Sequence, residues 1–135
     1  MKVLICHDGS DRAQTAMEKA IAILKPVNPE VVVLTVTEPP IDATSHDEEA
    51  YEEWEQARNA DLKQACSWVA GQGLNPTCIL ATGDPRVMIL NAIKKKSPDL
   101  VVVARRGGGI IPGMHLGSVS AYLVRHADCP ILVMH

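Results

Sequence analysis

Along this chain, short apolar runs rich in β-branched residues alternate with segments of helical period, and no other feature constrains the fold as tightly. Residues 3–6, 31–36, 74–80, Leu100–Ala104 and Ile131–Met134 read as strands. Val31-Val32-Val33-Leu34 and Leu100-Val101-Val102-Val103 lack the polar alternation of a half-exposed strand. Both are therefore expected in the middle of a sheet, covered on each face. Strands separated by helices imply parallel pairing, because a parallel neighbour is reached only through a crossover.

The crossovers carry their own signals. Ala13, Ala16, Met17, Ala20, Ile21 and Leu24 recur at helical spacing behind Ser10 or Asp11, either of which can cap the helix, and Pro26 ends it. A longer helix is expected from about residue 47 to 69, with Tyr51, Trp54, Leu62, Ala65 and Val69 on one side. Asp84-Pro85 opens a third helix, with aspartate as cap and proline in the first turn, and Lys94-Lys95-Lys96 complement its dipole at the other end. Ser118 begins a fourth, which runs until Cys129-Pro130 returns the chain to the last strand. With 135 residues there is room for one domain, residues 1–135, and one core.

Composition excludes several functions. At a net charge of −3, with no basic stripe, the chain has no general attraction for nucleic acid, and 3% aromatic residues leave little stacking surface for single strands. The apolar run that opens the chain stops at His7-Asp8, too short for a signal peptide or a membrane span, so a cytoplasmic protein is expected. Cys6, Cys66, Cys78 and Cys129 form no CxxC pair, which argues against a zinc or thioredoxin-like centre and for reduced thiols that pack as small hydrophobes.

Two segments are too long and irregular to be simple connections: residues 37–46, which contain Pro39-Pro40, and residues 105–117, rich in glycine. The second follows a buried strand and feeds a helix. There the unpaired amides of the first helical turn and the positive end of the dipole welcome an anion, and glycines let the backbone approach it. Gly107 to Gly109 as a mere turn, with Ser118 as a mere cap, is an equally good reading of the residues alone. Neither standard phosphate motif is present. Gly117-Ser118 lacks the lysine of a Walker A loop, and the turn after the first strand, His7-Asp8-Gly9-Ser10, is no GxGxxG fingerprint.

These residues do resemble the universal stress protein family, whose nucleotide-binding members carry G-x2-G-x9-G-[ST] between the fourth strand and the last helix. Here the pattern stands as Ala104-x2-Gly107-x9-Gly117-Ser118, flanked by Asp8-Gly9-Ser10, Gly83-Asp84-Pro85 and Leu116-Gly117-Ser118-Val119-Ser120. The resemblance spans the whole chain. It implies an open five-stranded parallel α/β sheet in the order 3-2-1-4-5 with helices on both faces, of the adenine nucleotide alpha hydrolase-like kind. It also implies ATP, with Mg²⁺, across the carboxyl ends of strands one and four, where the strand order reverses. Carried over position by position, Asp8 and Val36 meet the adenine and ribose, while Ala104, Gly107, Gly117, Ser118, Val119 and Ser120 surround the phosphates. A homodimer through the edge strand Ile131–Met134 is the further implication.

The departure from the family pattern is Ala104, followed by Arg105 where a small residue is usual. Were that position to need a positive φ, or to pack on a phosphate, the methyl group would weaken binding about ten- to thirtyfold. Bidentate contacts from Arg105 and Arg106 would offset part of this. The expected function is an ATP-binding regulatory or sensor module. The alternative is a dimeric interaction module without nucleotide. A slow ATPase using His7 or Asp8 is a third reading, and no carboxylate pair or histidine cluster is spaced to support it.

Overall fold

The computed structural model describes residues 1–38, 48–105 and 117–135. Five parallel strands, β1 (Lys2–Cys6), β2 (Glu30–Thr37), β3 (Thr77–Thr82), β4 (Leu100–Ala104) and β5 (Ile131–Met134), form one sheet in the order β3-β2-β1-β4-β5. The central strand is β1, in which Leu4 lies between Val32 of β2 and Val101 of β4. The helices are α1 (Asp11–Leu24), α2 (Glu48–Gly71), α3 (Pro85–Lys96) and α4 (Ser118–His126). The parallel α/β class is the one the alternation predicts, and the strand order is the one the resemblance implies.

Side-chain alternation in the strands splits the core into two layers. Val3, Ile5, Val31, Val33 and Val102 face α1 and α2, where they meet Met17, Ala20, Ile21, Leu62, Ala65 and Val69. Leu4, Val32, Leu34, Val101 and Val103 face the other way, onto Ile89 and Ile93 of α3 and Leu123 of α4. The two apolar runs singled out in the sequence are thus covered on both faces. Tyr51 and Trp54, expected on the buried stripe of α2, are half-buried and pack on each other at 5.8 Å between ring centroids.

Local rules set the helix ends. Ser10, rather than Asp11, caps α1: its hydroxyl accepts the Ala13 N–H at 3.1 Å. Lys25–Val27 forms a short 3₁₀ turn after Leu24 and ends at Asn28 in the left-handed region. Asp84 caps α3, accepting the Arg86 N–H at 2.9 Å, and Lys94, Lys95 and Lys96 occupy its last turn.

Two expectations need correction. The third strand starts at Thr77, not Leu74: Pro76 has no N–H to give to a ladder, and Leu74 buries its side chain from the connection instead. Nor are all four cysteines free thiols, because Cys66 of α2 and Cys78 of β3 are joined in a disulfide with their Cα atoms 6.5 Å apart. Helix α2 runs back along the sheet and β3 reverses under it. Residues 12 apart in sequence therefore face each other across the helix–sheet layer, which no CxxC rule anticipates. Cys6 and Cys129 remain free.

Candidate functional site

The carboxyl ends of the strands carry the candidate site, and the turn after β1 is built almost wholly from its own hydrogen bonds. His7 is 4% exposed, and its amide extends the ladder by donating to Leu34 O at 2.9 Å. The Gly9 N–H donates to His7 Nδ1 at 3.0 Å, which places the ring proton on Nε2, 3.0 Å from Gln14 Oε1. Both ring nitrogens are therefore occupied in holding the turn to α1. Asp8 is exposed, and its Oδ1 accepts the Ser10 N–H at 2.9 Å and the Ser10 hydroxyl. The carboxylate thus closes the turn.

Gly9 is required here. Its φ of +87° lies in the left-handed region, and a Cβ would run into the Asp61 carboxylate, reaching 3.1 Å from Cγ. Asp61 is held by Arg58, one turn earlier on α2, at 3.2 Å, and Arg58 Nε is buried without a hydrogen-bond partner among the described residues. Sequence reading missed this approach of α2 to the turn, because Asp61 and Arg58 look like ordinary solvent-facing charges on a long acidic helix.

Across the strand-order switch, β4 ends at Ala104 and the Arg105 N–H donates to Met134 O at 2.7 Å. Helix α4 begins at an extended Gly117 (φ −69°, ψ 166°), which supplies no side chain to cap the first amides. Those amides, of Ser118, Val119 and Ser120, have no intrahelical acceptor. The Ser120 hydroxyl donates to Ala104 O at 3.3 Å, tying the first turn of α4 to the end of β4. Ser120 is 4% exposed, so its hydroxyl is a structural latch, while Ser118 is exposed.

Among the described non-glycine residues only Asn28 and Ser97 have positive φ, so alanine carries no left-handed cost at position 104. It pairs with Met134, which belongs to the α1 layer, and follows Val102 and Val103 in strict alternation. Its methyl group therefore sits on the α1 face, opposite α4. Val36 packs in the α3/α4 layer, together with Val119 and Cys6. Arg106, Gly107 and the rest of the glycine-rich segment lie outside the described residues, as do Pro39-Pro40.

At the start of α3 stands a charged cluster of which sequence reading named only Asp84. Arg86 bonds to Asp84 Oδ2 at 3.0 Å and lies over the Tyr122 ring of α4 at 5.6 Å. Hydrogen bonds from Arg86 hold the Asp84 carboxyl below its ordinary range, and Asp84 in turn raises the guanidinium. Beneath the crevice, burial first and the neighbouring Cys129 second push the Cys6 thiol up to about 12, which makes it a packed hydrophobe rather than a nucleophile. Among the described residues no three His, Cys, Asp or Glu side chains gather to hold a metal, and no helix is long and apolar enough to cross a membrane.

The family model described as the universal stress protein family matches residues 1–135. The universal stress protein YxiE of Bacillus subtilis is 30% identical, over 98% of this chain and 97% of its own. Among solved structures, the protein MJ0577 superposes with a TM-score of 0.85 at 20% identity, covering 98% of this chain and 94% of its own. A universal stress protein in complex with cAMP superposes with a TM-score of 0.77 at 25% identity, covering 100% of this chain and 97% of its own.

Proposed function

The chain belongs to the universal stress protein family, and from that premise we propose that it is an adenine-nucleotide-binding regulatory module that takes ATP across the carboxyl ends of β1 and β4. The observation that carries the reading is the start of α4. Its N-cap, Gly117, has no side chain to cap the first amides, it is fixed to the end of β4 by the Ser120–Ala104 hydrogen bond, and it lies in the same layer as Val36. A phosphate chain would take these amides as donors, with the adenine towards Asp8 and Val36. Arg105 and Arg106 would add charge. The relative with bound cAMP supports an adenine nucleotide as the class of ligand.

Mg²⁺ would arrive on the phosphates rather than in a cage of protein ligands. The chain acts by binding rather than by turnover, since both nitrogens of His7 are committed to holding the turn. We place it in the cytoplasm and pair it through β5, an edge strand whose residues are all half-buried. The competing reading, a dimeric interaction module without nucleotide, rests on Ala104. The ordinary φ and the α1-facing methyl of that residue favour the nucleotide reading over it.

Replacing Gly117 with leucine tests the site. Gly117 is extended, so any residue adopts its backbone, and it stands at the head of the α4 amides proposed to hold the phosphates. Binding should be lost with the circular dichroism spectrum unchanged. Undiminished ATP affinity in that variant would put the site elsewhere.

A further inference from the structure

We propose that Cys66 and Cys78 form a reversible thiol–disulfide pair whose oxidation locks α2 onto the edge strand β3, with a dithiol protein or small molecule as exchange partner. The inference is independent of nucleotide binding. The bridge joins an element of the helical layer to the outermost strand of the sheet, at the β3 end of the order. Its two ends differ in access: Cys66 is 8% exposed within the α1/α2 core layer, whereas Cys78 is exposed on the sheet edge. An exposed cystine end is the one an external thiolate attacks. The two free thiols are unsuited to this chemistry, because burial raises both Cys6 and Cys129 above the ordinary thiol range.

In the reductive direction, a thiolate of the dithiol partner attacks the Cys78 sulfur. The S–S bond breaks, and its electron pair leaves on Cys66, which takes a proton. The second thiol of the partner then attacks the mixed disulfide and releases Cys78. The protein gains two electrons and two protons, and the partner ends as its own disulfide. Oxidation is the same exchange run backwards, with a disulfide of that class as acceptor.

The structural consequence falls on α2. Apart from the bridge, β3 offers the carboxyl half of this helix Leu80, half-buried against the layer that holds Leu62, Ala65 and Val69, while Thr77 and Thr82 are exposed. Five residues before Cys66, or about 7.5 Å along the axis, Asp61 presses on the Gly9 turn. Opening the bridge therefore loosens the helix that packs against this turn.

The test equilibrates the protein with graded mixtures of reduced and oxidised dithiothreitol, quenches, and follows alkylation by mass spectrometry alongside amide hydrogen exchange. The proposal predicts that Cys66 and Cys78 become alkylated together in one two-electron transition while the protein stays folded. It also predicts that α2 amides then exchange faster, by up to on the order of a hundredfold, with β1 and β4 unchanged. Cys78→Ser, at an exposed position, should give the fast α2 exchange in either redox buffer. A pair that stays dithiol at every poise would overturn the proposal. So would a bridge reducible only on global unfolding, or α2 protection that is the same in oxidised wild type and Cys78→Ser.

Discussion

Replacing Gly9 with alanine should destabilise the fold by about 2 to 3 kcal/mol, and the geometry divides that loss into two parts. The first is backbone: at φ +87° an L-residue loses about 1 to 2 kcal/mol. The second is steric, because the added methyl lands against the Asp61 carboxylate, 3.1 Å from Cγ and nearer still to Oδ2. Overpacking costs about 1 to 3 kcal/mol, and the low end applies because Asp61 can rotate away. Rotation forfeits only the Arg58 pair at 3.2 Å, whose partners are 36% and 26% exposed and so contribute little. Urea denaturation of wild type, Gly9→Ala, Asp61→Ala and the double variant separates the two parts. Adding Asp61→Ala to Gly9→Ala should recover about 1 kcal/mol, a coupling typical of side chains in contact. The backbone part should remain in both variants that carry Gly9→Ala. In a thermal scan the single variant should melt lower by about 6 to 12 °C. Stability equal to wild type, or strict additivity in the cycle, would refute the packing of α2 on this turn.

Other consequences are simpler to check. Ser10→Ala removes the acceptor for the Ala13 amide and should lower stability by about 1 kcal/mol in urea, with the fold retained. Cys78→Ser should cost about 3 kcal/mol under oxidising conditions, the loop-closure entropy for a separation of 12, and nearly nothing under reduction. Alkaline pH should weaken the fold through Cys6. Its folded thiol ionises at about 12 against an ordinary 9.0, so the unfolded chain releases its proton first. Stability is then complete below pH 9 and falls as pH rises from 9 towards 12, a slope that Cys6→Ala should flatten in urea titrations at about pH 8 and 10.

The sequence made the sheet legible because burial on both faces leaves an unambiguous mark, as in Val31 to Leu34 and Leu100 to Val103. Helix starts at Ser10 and Asp84 were readable for a related reason: capping is local chemistry over three residues. What escaped was tertiary. The pairing of Cys66 with Cys78 depends on how α2 reverses into β3, and Asp61 reaches Gly9 only because α2 lies on the α1 face. Ala104 shows the difference most clearly. As a letter it is a departure from a glycine motif, with two possible penalties. Once its register with Met134 is known, its methyl belongs to the face away from α4 and its φ is ordinary. Ser120, placed by the resemblance around the phosphates, donates its hydroxyl to the carbonyl of that same Ala104.

Isothermal titration of the purified chain with ATP and Mg²⁺, preceded by mass spectrometry to exclude nucleotide carried through purification, tests the central claim most directly. The account predicts saturable binding at one site per chain, lost in Gly117→Leu. No heat up to millimolar ATP, from folded and nucleotide-free protein, would contradict it and leave the dimeric interaction module as the reading of this fold.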